Sequence, residues 1–166
     1  MSLASYISCL RIVLVIPIIC FLELGFGSGP DFYNYLAFFL FVMAGLTDYL
    51  DGYIARKTNT ETHVGALLDL IADKLLVSLV MIWLVLIEID PLVAIPALII
   101  VARELVISTL RQYVIEKKGN KGLSVSFIGK SKTTIQIIAI SMLILAREIK
   151  GIDLLALLTL WFAAIF

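Results

Sequence analysis

Four aspartates at helical spacing stand out in an otherwise apolar chain: Asp48, Asp51, Asp69 and Asp73. They form two pairs, with members three residues apart in the first pair and four apart in the second. At about 100° per residue, such spacing puts both members of a pair on one side of a helix. If both segments are helical, each therefore has an acidic face.

The aspartates of these two predicted helices meet at matching depths. In an antiparallel pair joined by a tight connection, residues equally far from the centre of the connection are level with each other. Asp51 and Asp69 are each nine residues from Thr60, and Asp48 and Asp73 are twelve and thirteen residues away. The four carboxylates are therefore expected at two shared levels.

Bringing four carboxylates together has a chemical consequence. In a low-dielectric setting they repel one another and lose hydration, so either some are protonated or cations lie between them. An all-oxygen ligand set favours hard divalent ions such as Mg²⁺ or Mn²⁺. The alternative is that the aspartates cap helices or pair with Arg56, Lys57 and Lys74. Ionisable residues inside membrane segments usually serve function, which favours the metal site.

The composition indicates which kind of fold holds the four aspartates in place. Apolar residues make up 61% of the 166 residues and the mean hydropathy is +1.07, against about 45–50% apolar residues in soluble domains. The formal net charge of zero gives no electrostatic basis for binding nucleic acid.

We predict an all-α, polytopic membrane protein in a single domain, 1–166. A span needs about 20 residues, and six transmembrane helices are predicted at 3–24, 33–56, 64–87, 92–115, 127–146 and 152–166. The last apolar run is short, so we expect the sequence to end within its sixth helix.

The predicted loops are charged unequally. Basic residues mark the second and fourth loops and acidic residues the first and third: Lys57, Lys117, Lys118 and Lys121 against Glu23, Asp31, Glu88 and Asp90. The positive-inside rule makes the second and fourth loops cytoplasmic. Asp51 follows Asp31 by twenty residues, about 30 Å of helix. The aspartates are therefore expected near the cytoplasmic boundary of the membrane, where lipid phosphates lie.

Two further features leave alternatives open. Gly52, Ala55 and Gly65 can give a phosphate or a planar group access to the backbone, or they can simply let helices pack closely. Arg11, the one cation in the first apolar run, can lie along an interfacial helix or approach the acidic residues.

The acidic segment reads Asp48-x2-Asp51-Gly52-x2-Ala55-Arg56-x8-Gly65-x3-Asp69-x3-Asp73. Its eight defined positions resemble the complete signature of the CDP-alcohol phosphotransferases. The resemblance implies six transmembrane helices, commonly a homodimer, and transfer of a phosphatidyl or substituted phosphoryl group from a CDP-linked donor to an alcohol, with release of CMP.

The resemblance also assigns roles to residues. It makes Asp48, Asp51 and Asp69 metal ligands, and Asp73 both a residue near the metals and the catalytic general base. The remaining signature residues would bind the CDP donor: Gly52, Ala55, Arg56 and Gly65. Cations would neutralise the diphosphate while a carboxylate takes the proton of the attacking hydroxyl.

Segments 102–111 and 125–133 resemble the phosphatidylglycerophosphate synthases of bacteria, a branch of the same family. This resemblance implies CDP-diacylglycerol as the donor, glycerol 3-phosphate as the acceptor, and an active site on the cytoplasmic face of the bacterial inner membrane. Four cations in or near these segments are candidates for binding the acceptor phosphate: Arg103, Arg111, Lys130 and Lys132. Alternatively, the two lysines anchor anionic lipid, and Arg103 pairs with Glu104 or with a signature aspartate.

Two other functions fit parts of the pattern. The same chemistry with inositol phosphate or serine as acceptor keeps the acidic hairpin, although paired cations disfavour an acceptor without a phosphate. A cation transporter would place its carboxylates near the bilayer midplane. Here they are expected near one face, and no inverted repeat is evident.

Overall fold

The computed structural model describes residues 3–27, 29–58, 63–118, 127–149 and 151–165, with side chains in these ranges except at 3–5, 48–67, 69–70, 111–112, 114–118 and 127–131. This part of the chain contains six helices and no strand. They are α1 (Leu3–Leu24), α2 (Phe32–Thr58), α3 (His63–Glu88), α4 (Pro91–Lys118), α5 (Phe127–Ala146) and α6 (Asp153–Ile165). The prediction of an all-α fold with six helices is confirmed.

Local chemistry explains where α4 begins. Asp90 precedes the helix, and its Oδ1 accepts a hydrogen bond from the Leu92 backbone N–H at 2.9 Å. Such a cap satisfies one of the free N–H groups at a helix start. Pro91 occupies the first helical position, where its missing N–H costs nothing. The chain turns just before this at Ile89, whose φ is 48°.

The core is built from inward stripes on neighbouring helices. Buried residues of α1 recur at three and four residues, as one helical face requires: Ser8, Arg11, Val15, Ile18 and Leu22. A matching stripe on α2 contains Asn34, Ala37, Phe41 and Ala44. Helix α1 packs against α2 and α3, while α6 packs against α4 and α5. Because α5 also contacts α2 and α3, the helices share one core.

The outward faces of the helices are strongly apolar. On α4, for example, Leu98 is 74% exposed and Leu105 is 59% exposed. Within the described residues, Tyr6–Leu24 and Pro91–Leu110 are long and apolar enough to cross a membrane by length and composition, and three shorter apolar helices accompany them. An apolar exterior of this kind is typical of a protein surrounded by lipid.

A polar contact ties two turns together at one end of the bundle. Asn34, only 2% exposed, donates from Nδ2 to the Gly25 carbonyl at 3.1 Å and also to Glu148 Oε1. Gly25 belongs to the turn after α1, and Glu148 to the turn after α5. A Cβ added at Gly25 would lie 2.5 Å from Asn34 Oδ1, so the glycine permits this close approach.

Replacing Asn34 with alanine is expected to lower the free energy of unfolding by about 1–3 kcal/mol, because a buried carbonyl and a carboxylate lose their donor. Equilibrium unfolding in mixed detergent micelles measures this change. Thr109→Ala is the matched control, since the hydrogen bond that the Thr109 hydroxyl donates among the described residues lies within its own helix, to the Leu105 carbonyl. Equal stability of the two variants would contradict a linking role for Asn34.

Candidate active site

The four signature aspartates are divided between two successive helices. Asp48 and Asp51 lie in the second half of α2, which ends at Thr58, and Asp69 and Asp73 lie in the first half of α3, which begins at His63. The two helices contact each other. The prediction that the two aspartate pairs lie on successive helices in contact with each other is therefore confirmed at the level of the backbone.

Many side chains of this hairpin are not among those that the structure describes. The predicted metal ligands Asp48, Asp51 and Asp69 belong to this group, as do the predicted donor-binding residues Gly52, Ala55, Arg56 and Gly65. Among the side chains that are described, no three His, Cys, Asp or Glu residues are grouped closely enough to hold a metal ion. The metal site and the donor site stay predictions.

Asp73 is the signature aspartate whose side chain is described. It is partly buried on α3, between the fully buried Ala72 and the partly buried Lys74. A partly buried carboxylate can exchange a proton with a substrate and still be shielded from bulk water. Its position is compatible with the predicted role of general base.

Arg11 lies inside the bundle and not at its surface. It is 1% exposed and belongs to the inward stripe of α1, on a helix that packs against α2 and α3. This burial excludes the alternative in which Arg11 lies along an interfacial helix. A lone cation that continues an apolar stripe, between Ser8 and Val15, is the sequence signal for such a position.

The depth of Arg11 can be compared with that of Asp73. The turn after α1 and the end of α3 lie at the same end of the bundle, because Arg147 stacks over the Phe26 ring at 5.2 Å and lines a cavity with Glu88. Arg11 is thirteen residues before the last residue of α1, and Asp73 is fifteen before the last residue of α3. The difference corresponds to about 3 Å along the axis, so Arg11 and Asp73 lie at similar depth.

A second polar group, which includes the Lys74 that follows Asp73 on α3, joins three helices. Glu104 of α4 forms ion pairs with Lys74 of α3, at 3.4 Å, and with Lys132 of α5. Gln136 of α5 donates from Nε2 to Glu104 Oε1 at 3.1 Å. Lys74 also donates to the Glu104 backbone carbonyl at 3.2 Å. Two cations therefore meet one carboxylate at about the depth of the predicted base.

The structure thus shows where two of the four predicted acceptor-binding cations lie. Lys132 pairs with Glu104, while Arg103 donates to the carbonyls of Ala163 and Ala164 at 3.0 and 3.2 Å. These carbonyls belong to the last turn of α6, where backbone acceptors lack partners within the helix. The alternative pairing of Arg103 with Glu104 is not observed. The side chains of Arg111 and Lys130 lie outside those described.

These features together indicate a class of protein. Aspartates and basic residues on neighbouring helices are the residue types that phosphoryl-transfer enzymes use to bind metal and phosphate. Their place within a bundle of apolar helices points to an enzyme of lipid-soluble or membrane-bound phosphates. The chain matches the CDP-alcohol phosphatidyltransferase family over residues 1–166, and it belongs to that family.

Similar proteins from several bacteria cover almost the whole chain. A Rickettsia felis protein is 40% identical over 166 aligned positions, and the alignment covers 98% of this chain and 87% of the relative. A Rickettsia typhi protein is 41% identical, covering 98% and 89%. A Wigglesworthia glossinidia brevipalpis protein is 36% identical over 165 residues, covering 99% and 88%. Each of the three is named CDP-diacylglycerol–glycerol-3-phosphate 3-phosphatidyltransferase.

Proposed function

We propose that this protein transfers the phosphatidyl group of CDP-diacylglycerol to sn-glycerol 3-phosphate, giving phosphatidylglycerophosphate and CMP in phospholipid biosynthesis. One observation carries the proposal. The chain has the complete eight-position signature and shares 34–41% identity, over nearly its whole length, with relatives named for this reaction.

The acidic hairpin would hold the divalent metal. Asp48, Asp51, Asp69 and Asp73 provide only oxygen ligands, and this donor chemistry fits Mg²⁺ or Mn²⁺. When bound, the metal supplies positive charge that neutralises the diphosphate and the departing CMP. The CDP donor would lie along the same hairpin, against Gly52, Ala55, Arg56 and Gly65.

Asp73 would act as the general base. It would accept the proton of a glycerol 3-phosphate hydroxyl while that oxygen forms a bond to the phosphatidyl phosphorus. The bond from this phosphorus to the bridging oxygen of the diphosphate breaks, and CMP leaves with the electron pair. No covalent enzyme intermediate is needed, because acceptor and donor react directly.

The acceptor phosphate would be bound by cations near Asp73. Candidates are Arg103, Arg111, Lys130 and Lys132, of which Lys132 lies in the cluster beside Lys74. An arginine has five N–H donors, so Arg103 can bind the carbonyls of α6 and a phosphate together. A doubly charged acceptor gains more from such cations than a neutral alcohol does.

We place the protein in the bacterial cytoplasmic membrane as a homodimer of six-span subunits, with the active site facing the cytoplasm. The apolar exteriors of the helices, the two helices of spanning length and the basic second and fourth loops support the position in the membrane. The homodimer is what the family resemblance implies. The position in the membrane gives the site access to water-soluble glycerol 3-phosphate from one side and to the lipid donor from the membrane.

A panel of acceptors tests the reaction. Purified protein in detergent is given CDP-diacylglycerol, Mg²⁺ or Mn²⁺, and glycerol 3-phosphate, serine or inositol phosphate, and released CMP is measured. We expect CMP with glycerol 3-phosphate and little with the other two. Preferential use of serine or inositol phosphate would overturn the choice of acceptor, and no CMP with any acceptor would overturn the transferase activity.

A further inference from the structure

Glu104 links three helices through both of its carboxylate oxygens. Oε1 contacts Lys132 and Gln136 of α5, and Oε2 contacts Lys74 of α3. The Glu104 side chain is 14% exposed, as is that of Lys132, and that of Lys74 is 21% exposed. The cluster is therefore largely shielded from water, and its members are held by contacts from several helices.

Among the described residues of this cluster, two ammonium groups share one carboxylate. Removing the carboxylate would leave two like charges close together at a high electrostatic cost. Their long, flexible side chains would then turn toward water. Glu104 therefore determines where the two ammonium groups lie.

Lys74 directly follows Asp73 on α3, so the cluster lies at nearly the same depth along the helix as the predicted base, although the two side chains point about 100° apart. An ammonium group has three donors, so Lys132 can hold Glu104 and an oxygen of a phosphate at once. A phosphate bound there would lie at nearly the same depth in the bundle as Asp73. Gln136, 1% exposed, orients the carboxylate from the α5 side.

We propose that Glu104 is a positioning residue for the acceptor. It holds Lys74 and Lys132 together at about the depth of Asp73, so that the phosphate of the acceptor is bound within reach of the base. This inference rests on the proposed function, because it assumes a phosphorylated acceptor. It adds Lys74 to the acceptor-binding cations and gives Glu104 a role that its own negative charge would not suggest.

The test is Glu104→Gln in the full-length protein, with KM measured separately for each substrate. We expect KM for glycerol 3-phosphate to rise about tenfold, the effect of losing one charge-assisted hydrogen bond. KM for CDP-diacylglycerol and kcat should change much less. Glu23→Gln is the matched control. Glu23 is exposed near the C-terminal end of α1, and its charge should not affect the KM of either substrate.

A double-mutant cycle distinguishes positioning from a structural role. If Glu104 acts through Lys132, Glu104→Gln will raise KM for glycerol 3-phosphate much less in a Lys132→Gln background than in the wild type. Fully multiplicative effects would overturn the proposal, as would an unchanged acceptor KM in Glu104→Gln. A wild type that releases no CMP with glycerol 3-phosphate would instead overturn the proposed function itself.

Gln136→Leu provides a second variant if Glu104→Gln does not fold. It removes the hydrogen bond to Glu104 Oε1 and leaves every charge in place. We expect an increase of about threefold in KM for glycerol 3-phosphate, the effect of one neutral-donor hydrogen bond. An unchanged acceptor KM in a folded Gln136→Leu protein would also count against positioning by this cluster.

Discussion

Replacing Asp73 with asparagine is expected to lower kcat by a factor of about 10²–10⁴, the usual contribution of a positioned general base. Asparagine has nearly the same shape as aspartate, but it cannot accept a proton from the acceptor hydroxyl. Asp73 is only partly buried on α3, so the helix should tolerate the change. Release of CMP at saturating concentrations of both substrates measures the effect.

Two comparisons show whether Asp73 acts as a base or only as a metal ligand. Asp31→Asn, at an exposed position before α2, should retain wild-type kcat and controls for the loss of a carboxylate. Raising the concentration of Mg²⁺ or Mn²⁺ should not restore Asp73→Asn. Full recovery at high metal concentration would contradict the role of base and leave Asp73 with metal binding alone.

The sequence was sufficient to predict the helices, because apolar runs of spanning length alternate with charged or Gly- and Pro-containing connections. The helices extend slightly beyond the predicted spans. The second and fourth spans are predicted at about 33–56 and 92–115, and α2 continues to Thr58 and α4 to Lys118. Hydropathy locates the hydrocarbon boundary, whereas Lys, Arg and Glu are good helix formers that continue a helix beyond it.

Partners between helices were harder to predict, as Arg103 and Glu104 illustrate. Neighbours along a helix point about 100° apart and do not face each other, so a pairing of these two residues was a poor expectation. The structure directs Arg103 to α6 and Glu104 to α3 and α5. Spacing gives the angle between the two side chains, but the identity of each partner depends on which helices are neighbours.

For Arg11, the sequence predicts which face of the helix the residue occupies but not which helices that face contacts. Its position on a stripe with Ser8 and Val15 could be read from spacing, and this stripe is buried. Successive spans already predict that α1 and α3 end at the same end of the bundle, as the structure shows. That α1 packs against α3 required the structure. The pairing of the two acidic helices could be predicted from the sequence alone, because α2 and α3 are consecutive along the chain.

Removal of divalent metal is expected to reduce CMP release by more than about a hundredfold. The proposed ligands Asp48, Asp51, Asp69 and Asp73 would then face the donor diphosphate as uncompensated negative charges, and loss of several kcal/mol of transition-state stabilisation has at least this effect on rate. The protein is treated with EDTA and desalted, its residual metal is measured by mass spectrometry, and CMP release is then assayed.

Adding metal back distinguishes a specific site from general screening of charge. Mg²⁺ or Mn²⁺ should restore activity, and Ca²⁺ should restore much less, because it prefers more ligands at longer distances. Asp69→Asn should raise the metal concentration for half-maximal activity about tenfold or more, as loss of a charged ligand implies. Asp153→Asn, an exposed carboxylate at the start of α6, should leave that concentration unchanged. Full activity in metal-free protein would show that the aspartates act without a cation, with protonation then relieving their mutual repulsion.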